Sequence, residues 1–362
     1  MSLSVDIRHT LGDLVVEVAF EAPGGITALF GQSGSGKTTV INAVAGLLTP
    51  QSGRIALHSS VLFDHTHRTN VAPYRRRLGY VFQDARLFPH LTVLGNLTYG
   101  SRFAPRDNAG PALEDVTDML GITSLLNRRP GGLSGGEKQR VAIGRALLSH
   151  PRMLLMDEPL AALDTNRKEE ILPYLEQLRD VTGLPILYVS HSVAEVARLA
   201  DTVVVLDQGR VAQVGPTEHV FSDPGMVRQL GLREAGAVLP ATVTTHHTDG
   251  LTELAVSGGT LMLPQVDLPT GASTRVRILA QDVILSRERP VGLSALNILS
   301  ATVTEIRAGG GPGVVVQLQC GQDHLLARIT RRSAQALGLA AGVSCHAVIK
   351  SVSVARHDVG RS

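Results

Sequence analysis

The sequence predicts an α/β domain with a largely parallel sheet, followed by a smaller all-β domain. Up to about residue 232, short apolar runs alternate with longer segments of helical periodicity, which is typical of buried parallel strands joined by helices. Beyond residue 233, short β-type runs such as "TELAVSG" and "GVVVQLQC" are separated by glycine, proline, aspartate and asparagine, a pattern typical of a small barrel or sandwich. We therefore predict domains over 1–233 and 234–362, with the boundary between Leu232 and Pro240.

The predicted elements of the first domain follow from apolar runs and their breakers. Buried strands are predicted at 24–31, 76–84, 152–158 and 184–191. Helices are predicted at 37–48, 140–150, 165–183 and 192–200. Pro173 is expected to disturb the third helix. A hairpin is predicted to turn at Asp207–Gly209.

Composition excludes several classes of function. The 362 residues carry 34 Lys and Arg against 32 Asp and Glu, and only 3% are aromatic, with no tryptophan. The chain therefore has neither the basic field nor the aromatic platform of a nucleic-acid-binding protein. Cys320 and Cys345 lack metal-ligand spacing and are expected to be reduced thiols. The N-terminus lacks the layout of a signal peptide and no run approaches a bilayer span, so we expect an intracellular protein.

The segment "GQSGSGKT" matches the pattern of a phosphate-binding loop, G-x-x-x-x-G-K-[ST], through Gly31, Gly36, Lys37 and Thr38. It follows a predicted strand and opens a predicted helix, so backbone N–H groups can converge on phosphate oxygens. In such loops the lysine reaches the β- and γ-phosphates, and the hydroxyl of the Ser/Thr binds Mg²⁺. The sequence therefore predicts an ATP and Mg²⁺ site in a P-loop NTPase domain. The predicted nucleotide-binding residues are Gly31, Gln32, Ser33, Gly34, Ser35, Gly36, Lys37, Thr38 and Thr39.

Polar side chains end three of the other predicted strands and complete this site. Asp157 can hold Mg²⁺ together with Thr38 and Gln83, and Glu158 can polarise an attacking water as a general base. His191 can contact a γ-phosphate or orient the water. The alternatives are a solvated Asp-Glu pair, a structural histidine, and an ordinary turn residue at Gln83.

A second glycine-rich segment, "LSGGEKQR", carries a family resemblance. In order along the chain, "GQSGSGKT", Gln83, "LSGGEKQR", "LLMDEP", "LAALD" and His191 resemble the motifs of ABC-transporter ATPases over about 1–232. The resemblance implies a head-to-tail homodimer with two ATP molecules, in which Ser134, Gly135 and Gly136 complete the site of the other subunit and Asp164 belongs to the intersubunit loop. One departure is Leu11, where many members place an aromatic residue against adenine.

The same resemblance extends to transport. One ATPase domain followed by a β domain resembles importer ATPases, and "GYVFQDARLFPHLTVLGNLTYG" (79–100) resembles molybdate-importer ATPases. This implies a peripheral subunit at the cytoplasmic face of the inner membrane, working beneath a separate permease and, indirectly, with an extracytoplasmic oxyanion-binding protein. Phe88, Pro89, Leu91 and Arg86 are expected to contact the permease. The alternative is a surface loop with scattered apolar residues.

The C-terminal domain also resembles a known module. Residues 275–355, and 291–355 in particular, resemble the small OB-like molybdate-binding barrel of these ATPases. The resemblance implies an oxyanion held at a subunit interface, with possible matching positions Ser294, Ala295, Asn297, Lys350 and Ser351, and feedback on ATP hydrolysis when molybdate binds. Leu296 stands where many members have arginine, so anion binding is expected to be weaker. The alternative is that these polar residues cap turns.

Other solutes and roles stay open at this stage. The chain could instead be the ATPase of an importer for tungstate, sulfate or iron, and a non-transport ABC ATPase is a further alternative. Two histidine pairs, His65 with His67 and His246 with His247, lack partner ligands at metal spacing and are predicted to be solvated. The basic run 75–77 is predicted to be a solvated patch, with lipid or permease contact as the alternative.

Overall fold

The chain is described by a computed structural model that covers residues 2–103, 110–309, 311–354 and 358–361. It falls into two compact units: Met1–Ser192 with Ala200–Val214, and Val193–Leu199 with Gly215–Ser362. The segment 215–233, assigned from sequence to the first domain, lies in the second unit. The boundary at 233/234 between independently folding domains stays a prediction.

The first unit contains eleven strands within its described residues. They are β1 (Leu3–Leu11), β2 (Leu14–Ala22), β3 (Ile26–Phe30), β4 (Ser52–Leu57), β5 (Ser60–Asp64), β6 (Thr69–Asn70), β7 (Leu78–Val81), β8 (Met153–Asp157), β9 (Ile186–Ser190), β10 (Thr202–Asp207) and β11 (Arg210–Pro216). Its helices are α1 (Lys37–Ala45), α2 (Pro73–Arg76), α3 (Val93–Leu97), α4 (Leu113–Met119), α5 (Gly135–Leu147) and α6 (Thr165–Thr182).

These strands form one sheet in the order β6-β5-β4-β1-β2-β11-β10-β3-β9-β8-β7. The run β10-β3-β9-β8-β7 is parallel, as predicted. The antiparallel pairings among β1, β2, β4, β5 and β6 were not predicted. The predicted turn at 207–209 joins neighbouring strands β10 and β11.

The starts of one predicted strand and one predicted helix were wrong. The strand predicted from residue 76 begins only at Leu78, because Arg76 ends α2. The helix predicted from residue 140 begins at Gly135, where Ser134 supplies its N-cap. The helix α6 spans Thr165–Thr182, close to the predicted 165–183, and Pro173 does not break it.

The core of the first unit lies between α1 and the sheet. The buried face of α1 (Val40, Ile41, Val44) packs with side chains of the central strands, such as Leu155 and Val189. Burial of these apolar side chains is the main stabilising contribution to this packing. It also fixes the N-terminus of α1 at the carboxyl edge of the parallel strands, where the glycine-rich loop lies.

Arg76 overturns the prediction of a solvated basic patch over 75–77. Its side chain is 1% exposed, and its guanidinium donates to the carbonyls of Ala43, Val44 and Val71 at 2.7–2.8 Å and to Asn70 Oδ1 at 2.9 Å. Two of these carbonyls lie in the last turn of α1, where few helical donors remain, and that of Ala43 also accepts from Gly46 N at 3.1 Å. Arg76 is therefore a buried cap of α1, whereas Arg75 is exposed.

The second unit is built mainly of strands, which confirms the predicted all-β domain. Two five-stranded sheets have the orders β14-β13-β12-β15-β21 and β16-β20-β17-β18-β19. The strands are β12 (Gly236–His246), β13 (Leu251–Val256), β14 (Gly259–Pro264), β15 (Ser273–Leu279), β16 (Val283–Ser286), β17 (Asn297–Ala308), β18 (Gly313–Cys320), β19 (Asp323–Thr330), β20 (Ser344–Ile349) and β21 (Val359–Arg361). Its helices are α7 (Val193–Leu199), α8 (Thr217–Phe221), α9 (Val227–Leu230) and α10 (Arg331–Ala336).

Among the described residues of this unit, the larger of two apolar clusters contains both cysteines. Cys320 and Cys345 are free and buried, and burial raises the pKa of Cys320 to about 12. Both thiols are therefore in the neutral form and unreactive at neutral pH.

In the part of the chain that the structure describes, no helix combines the length and apolar character needed to cross a bilayer.

Candidate functional site

The candidate site lies where parallel strands of the first unit end. The neighbours β3, β9, β8 and β7 run parallel, so their carboxyl ends share one edge of the sheet, the usual place for ligands in such sheets. The residues that follow β3, β9 and β8 are Gly31, His191 and Glu158. Gln83 follows β7 after one intervening residue.

Lys37 lies inside the glycine-rich loop. Its Nζ donates to Gly31 O at 2.8 Å and to Gln32 O at 3.0 Å, and its side chain is 5% exposed. Burial lowers the pKa of this ammonium, opposed by the charges of Glu158 and Asp157. An ammonium has three donors, so with two on the loop the third can be offered to a phosphate. Gln32, Ser33, Gly34 and Thr38 are exposed around it.

Two features of the loop fit a bound phosphate. Ser35 is 5% exposed, and its Oγ has no hydrogen-bond partner among the described residues, so a phosphate oxygen would satisfy a buried hydroxyl that otherwise lacks a partner. Gly36 has φ +102°, and a Cβ at this position would lie 2.9 Å from Val16 Cγ2. Only glycine therefore fits this tight entry into α1, whose N-terminal N–H groups face the loop.

Glu158 connects Lys37 with His191. Its Oε1 lies 4.0 Å from Lys37 Nζ and its Oε2 lies 3.2 Å from His191 Nδ1. Its backbone has φ +46° and is held by a hydrogen bond from its N–H to Val189 O at 3.0 Å. Such a left-handed conformation is unfavourable for glutamate and is found at functional sites. The structure therefore brings together three of the predicted residues at the phosphate-binding loop.

Asp157, at the end of β8, has an unpredicted neighbour in Tyr80. The Tyr80 hydroxyl lies 3.2 Å from Asp157 Oδ2 and 3.0 Å from Asn42 Oδ1 of α1. Burial raises the pKa of Asp157, and so does the nearby Glu158, while the hydrogen bond from Tyr80 opposes the rise. The sequence assigned no role to Tyr80 within the segment 79–100, and only its place on β7 beside β8 shows this contact.

Gln83 is exposed just beyond β7. The preceding residue, Phe82, accepts a hydrogen bond at its backbone oxygen from Gln139 Nε2 at 3.4 Å. Gln139 belongs to α5 and is 3% exposed. The segment that carries Gln83 is thus tied to the helix that begins at the second glycine-rich loop, a contact that the sequence did not predict.

The second loop forms the N-terminus of α5 through a complete capping box. Glu137 N donates to Ser134 Oγ at 3.2 Å, and Ser134 N donates to Glu137 Oε2 at 2.6 Å. This backbone hydrogen bond lowers the pKa of Glu137. Ser134 is exposed. In the described residues, hydrogen bonds and ion pairs thus join Lys37, Glu158 and His191 in one cluster and Ser134 with Glu137 in another.

Asp164 also begins a helix. Its Oδ1 accepts a hydrogen bond from Arg167 N at 3.0 Å as the N-cap of α6, and its Oδ2 lies 3.3 Å from Arg167 Nε. The loop before it lies beside the second glycine-rich loop, since a Cβ at Gly135 would lie 3.0 Å from Leu163 Cδ2. Leu11, at the end of β1, is 56% exposed.

A groove of about 320 Å³ lies beside the segment 85–91. Phe88, Tyr99, Arg86 and Arg145 contribute to its lining, with the rings of Phe88 and Tyr99 4.4 Å apart. Arg145 holds the segment by donating to Arg86 O at 2.9 Å and Ala85 O at 3.1 Å. The predicted contact residues Phe88 and Leu91 are half-buried, while Pro89 and Arg86 are exposed.

The buried Asn96 holds the same segment from the other side. It accepts a hydrogen bond from Phe88 N at 2.8 Å and donates to Phe88 O at 3.1 Å, and its side chain is 0% exposed. The loop is therefore a fixed surface rather than a loose connection. Asn96 and Arg145 were not predicted as functional residues from the sequence.

The predicted oxyanion residues of the second unit meet at one end of its second sheet. Asn297 on β17 pairs with Ile349 on β20, next to Lys350 and Ser351. Asn297 is 1% exposed, and its amide bonds the backbone of Met262 at 2.6 and 3.1 Å. Ser351 is 8% exposed, and its Oγ has no partner among the described residues.

The remaining predicted residues of this group lie at the surface. Ser294, Leu296 and Lys350 are exposed, and Ala295 is half-buried. The four histidines predicted to be solvated make local contacts in three cases, such as His67 Nδ1 with Asp64 Oδ2 at 2.9 Å. No cluster of three metal-ligating side chains occurs within the described ranges.

Comparison with known families agrees with both units. The ABC transporter family model matches residues 17–161, and the TOBE domain model matches residues 293–355. The first match contains the glycine-rich loop, the capping box of α5 and Asp157 with Glu158. The second contains the strands from β17 to β20 and the residues around Ser351.

Similar proteins match over nearly the whole chain. The Molybdenum import ATP-binding protein ModC of Mesorhizobium japonicum is 53% identical over 361 residues, 99% of this chain and 98% of that protein. The protein of the same name from Paramagnetospirillum magneticum is 49% identical over 358 residues, 99% of each chain.

Two solved structures match the ATPase part of the chain. A dimeric ATP-binding cassette in a post-hydrolysis state, bound to ADP and Pi, is 27% identical with a TM-score of 0.50 and covers 60% of this chain and 99% of its own. The cbiO1 protein of Clostridium perfringens, part of the ABC transporter complex cbiONQ, is 27% identical with a TM-score of 0.52 and covers 64% of this chain and 94% of its own.

The similarity to these relatives over nearly the whole chain and the geometry of the phosphate-binding loop lead to the same conclusion. The chain has the nucleotide loop, the acidic pair and the capped second loop in one ATPase unit, followed by a TOBE domain. It therefore belongs to the ABC-transporter ATPases, the ATP-binding and ATP-hydrolysing subunits of these transporters, and among them to the family of the molybdenum import ATP-binding proteins.

Proposed function

We propose that this chain is the ATP-hydrolysing subunit of a molybdate importer and works as a homodimer beneath a membrane permease. The observation that carries the ATPase part is the cluster of Lys37, Glu158 and His191 at the phosphate-binding loop. The choice of molybdate is supported by near full-length relatives named as molybdenum import proteins. Such a subunit would lie at the cytoplasmic face of the inner membrane.

The residues of the cluster have distinct roles in hydrolysis. Lys37, fixed by two loop carbonyls, would contact the β- and γ-phosphates. Glu158 would take a proton from the attacking water, and His191, 3.2 Å from its Oε2, would hold that carboxylate in place and contact the γ-phosphate. The unpartnered Ser35 Oγ would donate to a phosphate oxygen.

Oxygen-bearing side chains at the end of β8, at the start of α1 and just beyond β7 suit Mg²⁺. Thr38, Asp157 and Gln83 supply a hydroxyl, a carboxylate and an amide oxygen, which are the hard ligands that Mg²⁺ prefers. When bound, Mg²⁺ would offset the charge of the phosphates. The partly buried carboxylate of Asp157, raised in pKa by burial, would gain a positive partner there.

The capped loop at Ser134 supports the homodimer. Gly135 and Gly136 follow the cap, so their N–H groups at the N-terminus of the 13-residue α5 can donate hydrogen bonds to an anion. We infer that this loop contacts the γ-phosphate bound by a second subunit and that Asp164 lies at the same interface. Loss of that phosphate on hydrolysis would remove the bridging charge and loosen the dimer.

The groove beside 85–91 is our candidate surface for the permease. Its aromatic and apolar lining includes Phe88 and Tyr99, and Arg86 and Arg145 are the cationic residues around it. Arg145 and Asn96 fix the backbone of the segment. A fixed apolar groove suits an inserted helix from a partner, which would transmit its motion toward Gln83.

The second unit is our candidate regulatory site for oxyanion. Ser351 offers a buried hydroxyl without a partner among the described residues, and Lys350 next to it supplies a cation. Asn297 supports the site by holding β14, and Leu296 supplies no charge. Molybdate bound here would favour an arrangement that cannot hydrolyse ATP.

The test is transport by the full-length chain assembled in vesicles with the permease that co-purifies with it. We expect ATP-dependent uptake of molybdate, little uptake of sulfate, phosphate or iron, and loss of uptake in Glu158→Gln but not in the surface control Glu21→Gln. Uptake of tungstate or sulfate in preference to molybdate would contradict the choice of solute. Absence of any co-purifying permease would contradict the importer function.

A further inference from the structure

We propose that Tyr80 is a positioning residue for Asp157 and determines how firmly this carboxylate holds the magnesium ion of the bound nucleotide. The inference rests on the proposed Mg²⁺ site, since Tyr80 acts through Asp157. Tyr80 lies in the segment 79–100 that resembles molybdate-importer ATPases, but the sequence assigns it no role. Its role follows from where its hydroxyl lies.

The hydroxyl of Tyr80 lies between the nucleotide helix and the acidic strand. It is 3.0 Å from Asn42 Oδ1 on α1 and 3.2 Å from Asp157 Oδ2 on β8. A phenol has one proton, so it can be donated fully to only one of these acceptors at a time. When it goes to Asp157, it fixes the rotation of the carboxylate that faces the phosphate loop. Hydrogen-bond partners of this kind, one shell out from a metal, commonly control metal affinity.

The ring of Tyr80 is held so that its hydroxyl stays at this point. It stacks on Phe82 with ring centroids 4.2 Å apart, and the guanidinium of Arg86 lies 4.2 Å above the Phe82 ring. A pair of stacked rings and a cation over one of them are mutually stabilising. The orientation of Asp157 therefore depends on Phe82 and Arg86, which also line the groove.

The hydroxyl is not needed to hold β7 against α1. Arg76 already ties the start of this segment to the carbonyls of Ala43 and Val44, and β7 pairs with β8 through its backbone. Replacement of Tyr80 by phenylalanine keeps the ring and its stack. It removes only the proton offered to Asn42 and Asp157, so the variant isolates the proposed role.

The experiment compares nucleotide affinity of the full-length chain with Mg²⁺ and with EDTA, measured by fluorescence of an ATP analogue. The wild-type protein should bind more tightly with Mg²⁺. In Tyr80→Phe this gain should fall about tenfold, while affinity in EDTA stays unchanged. In Asn42→Ala the phenol proton has only Asp157 to bond, so the gain should be kept or increased. Tyr74→Phe, at a tyrosine 78% exposed, is the matched control.

The outcomes separate the two proposals. If the wild-type chain gains nothing from Mg²⁺, the proposed metal site itself is wrong. If Mg²⁺ raises the nucleotide affinity of the wild type and of Tyr80→Phe by the same factor, only the role of Tyr80 is wrong. Equal losses in Mg²⁺ and in EDTA would show a merely structural residue, and a loss in Asn42→Ala like that in Tyr80→Phe would place its effect on α1 instead of Asp157.

Discussion

Glu158 Oε2 lies 3.2 Å from His191 Nδ1, although the two residues follow different strands. They meet because β8 and β9 are parallel neighbours whose carboxyl ends share an edge. The left-handed backbone of Glu158, φ +46°, turns the chain at this point. The carboxylate thus lies between a histidine on one side and Lys37 on the other, at the phosphate-binding loop where we propose that it acts as a general base.

Removal of the Glu158 carboxylate should stop hydrolysis but spare ATP binding. In Glu158→Gln, we expect phosphate release to fall about 100- to 10,000-fold, since general-base catalysis contributes factors of this size. Nucleotide affinity should stay close to wild type. Phosphate release and equilibrium binding measure the two effects, with Glu21→Gln, on an exposed position of β2, as the control. Retained hydrolysis would assign the base to another residue.

Loss of the buried arginine should destabilise the first unit. In Arg76→Ala, the carbonyls of Ala43, Val44 and Val71 lose their charged donor. The Ala43 carbonyl keeps the hydrogen bond from Gly46 N, and each carbonyl left buried and unsatisfied costs about 1–3 kcal/mol. We expect the unfolding free energy to fall by about 3 kcal/mol or more, measured by urea denaturation. The exposed Arg75→Ala should change it by less than about 0.5 kcal/mol. Equal effects of both variants would contradict the capping role of Arg76.

The capping box should make the stability of α5 depend on pH. The hydrogen bond from Ser134 N lowers the pKa of Glu137 in the folded chain, so the carboxylate stabilises the fold at pH values above the ordinary glutamate range near 4.3. That contribution is lost as the pH falls through the lowered pKa. Urea midpoints of wild type and Glu137→Gln should therefore converge toward pH 3 and separate toward pH 6. A difference that is constant over this range would contradict the role of the charge.

Variants of Ser351 and Asn297 should distinguish an effect on anion binding from an effect on stability. Ser351→Ala removes a hydroxyl without a partner among the described residues, so it should weaken molybdate binding about threefold to tenfold and leave stability unchanged. Asn297→Ala removes two hydrogen bonds to Met262, so the second unit should lose about 2 kcal/mol of stability. Calorimetric titration with molybdate and thermal unfolding of the full-length chain measure these effects. Unchanged molybdate affinity in Ser351→Ala would remove this residue from the site.

The cap of the second loop gives a further prediction on assembly. Ser134→Ala loses the side-chain bond to Glu137 N, which costs about 1 kcal/mol in helix stability. Because we place the same serine at the γ-phosphate of a second subunit, ATP-induced dimerisation of the hydrolysis-deficient Glu158→Gln protein should also be lost. Sedimentation of the double variant with ATP checks this. The control is Ser149→Ala, two residues beyond the end of α5 and distant from the cap.

The motifs were predictable because their chemistry is local. The loop from Gly31 to Thr38 needs glycines at fixed positions, a lysine and a helix behind it, and all of these lie in one short segment. Strands such as β8 and β9 were predicted because continuous apolar runs indicate burial on both faces. The antiparallel strands near the N-terminus were not predicted, although β1 and β2 alternate apolar and polar residues, because the prediction rested on the continuous apolar runs of buried parallel strands.

The sequence alone determined the family, the order of the two domains, and the identity of Lys37, Glu158 and His191 as candidates for chemistry. Tertiary structure decided what Arg76, Tyr80 and Asn297 do. Arg76 is the middle of an arginine run in sequence but a buried cap in the fold, and Asn297 resembles an anion ligand in sequence but bonds the backbone of β14. The physical reason is that burial and hydrogen-bond partners come from segments distant along the chain, which no local pattern records.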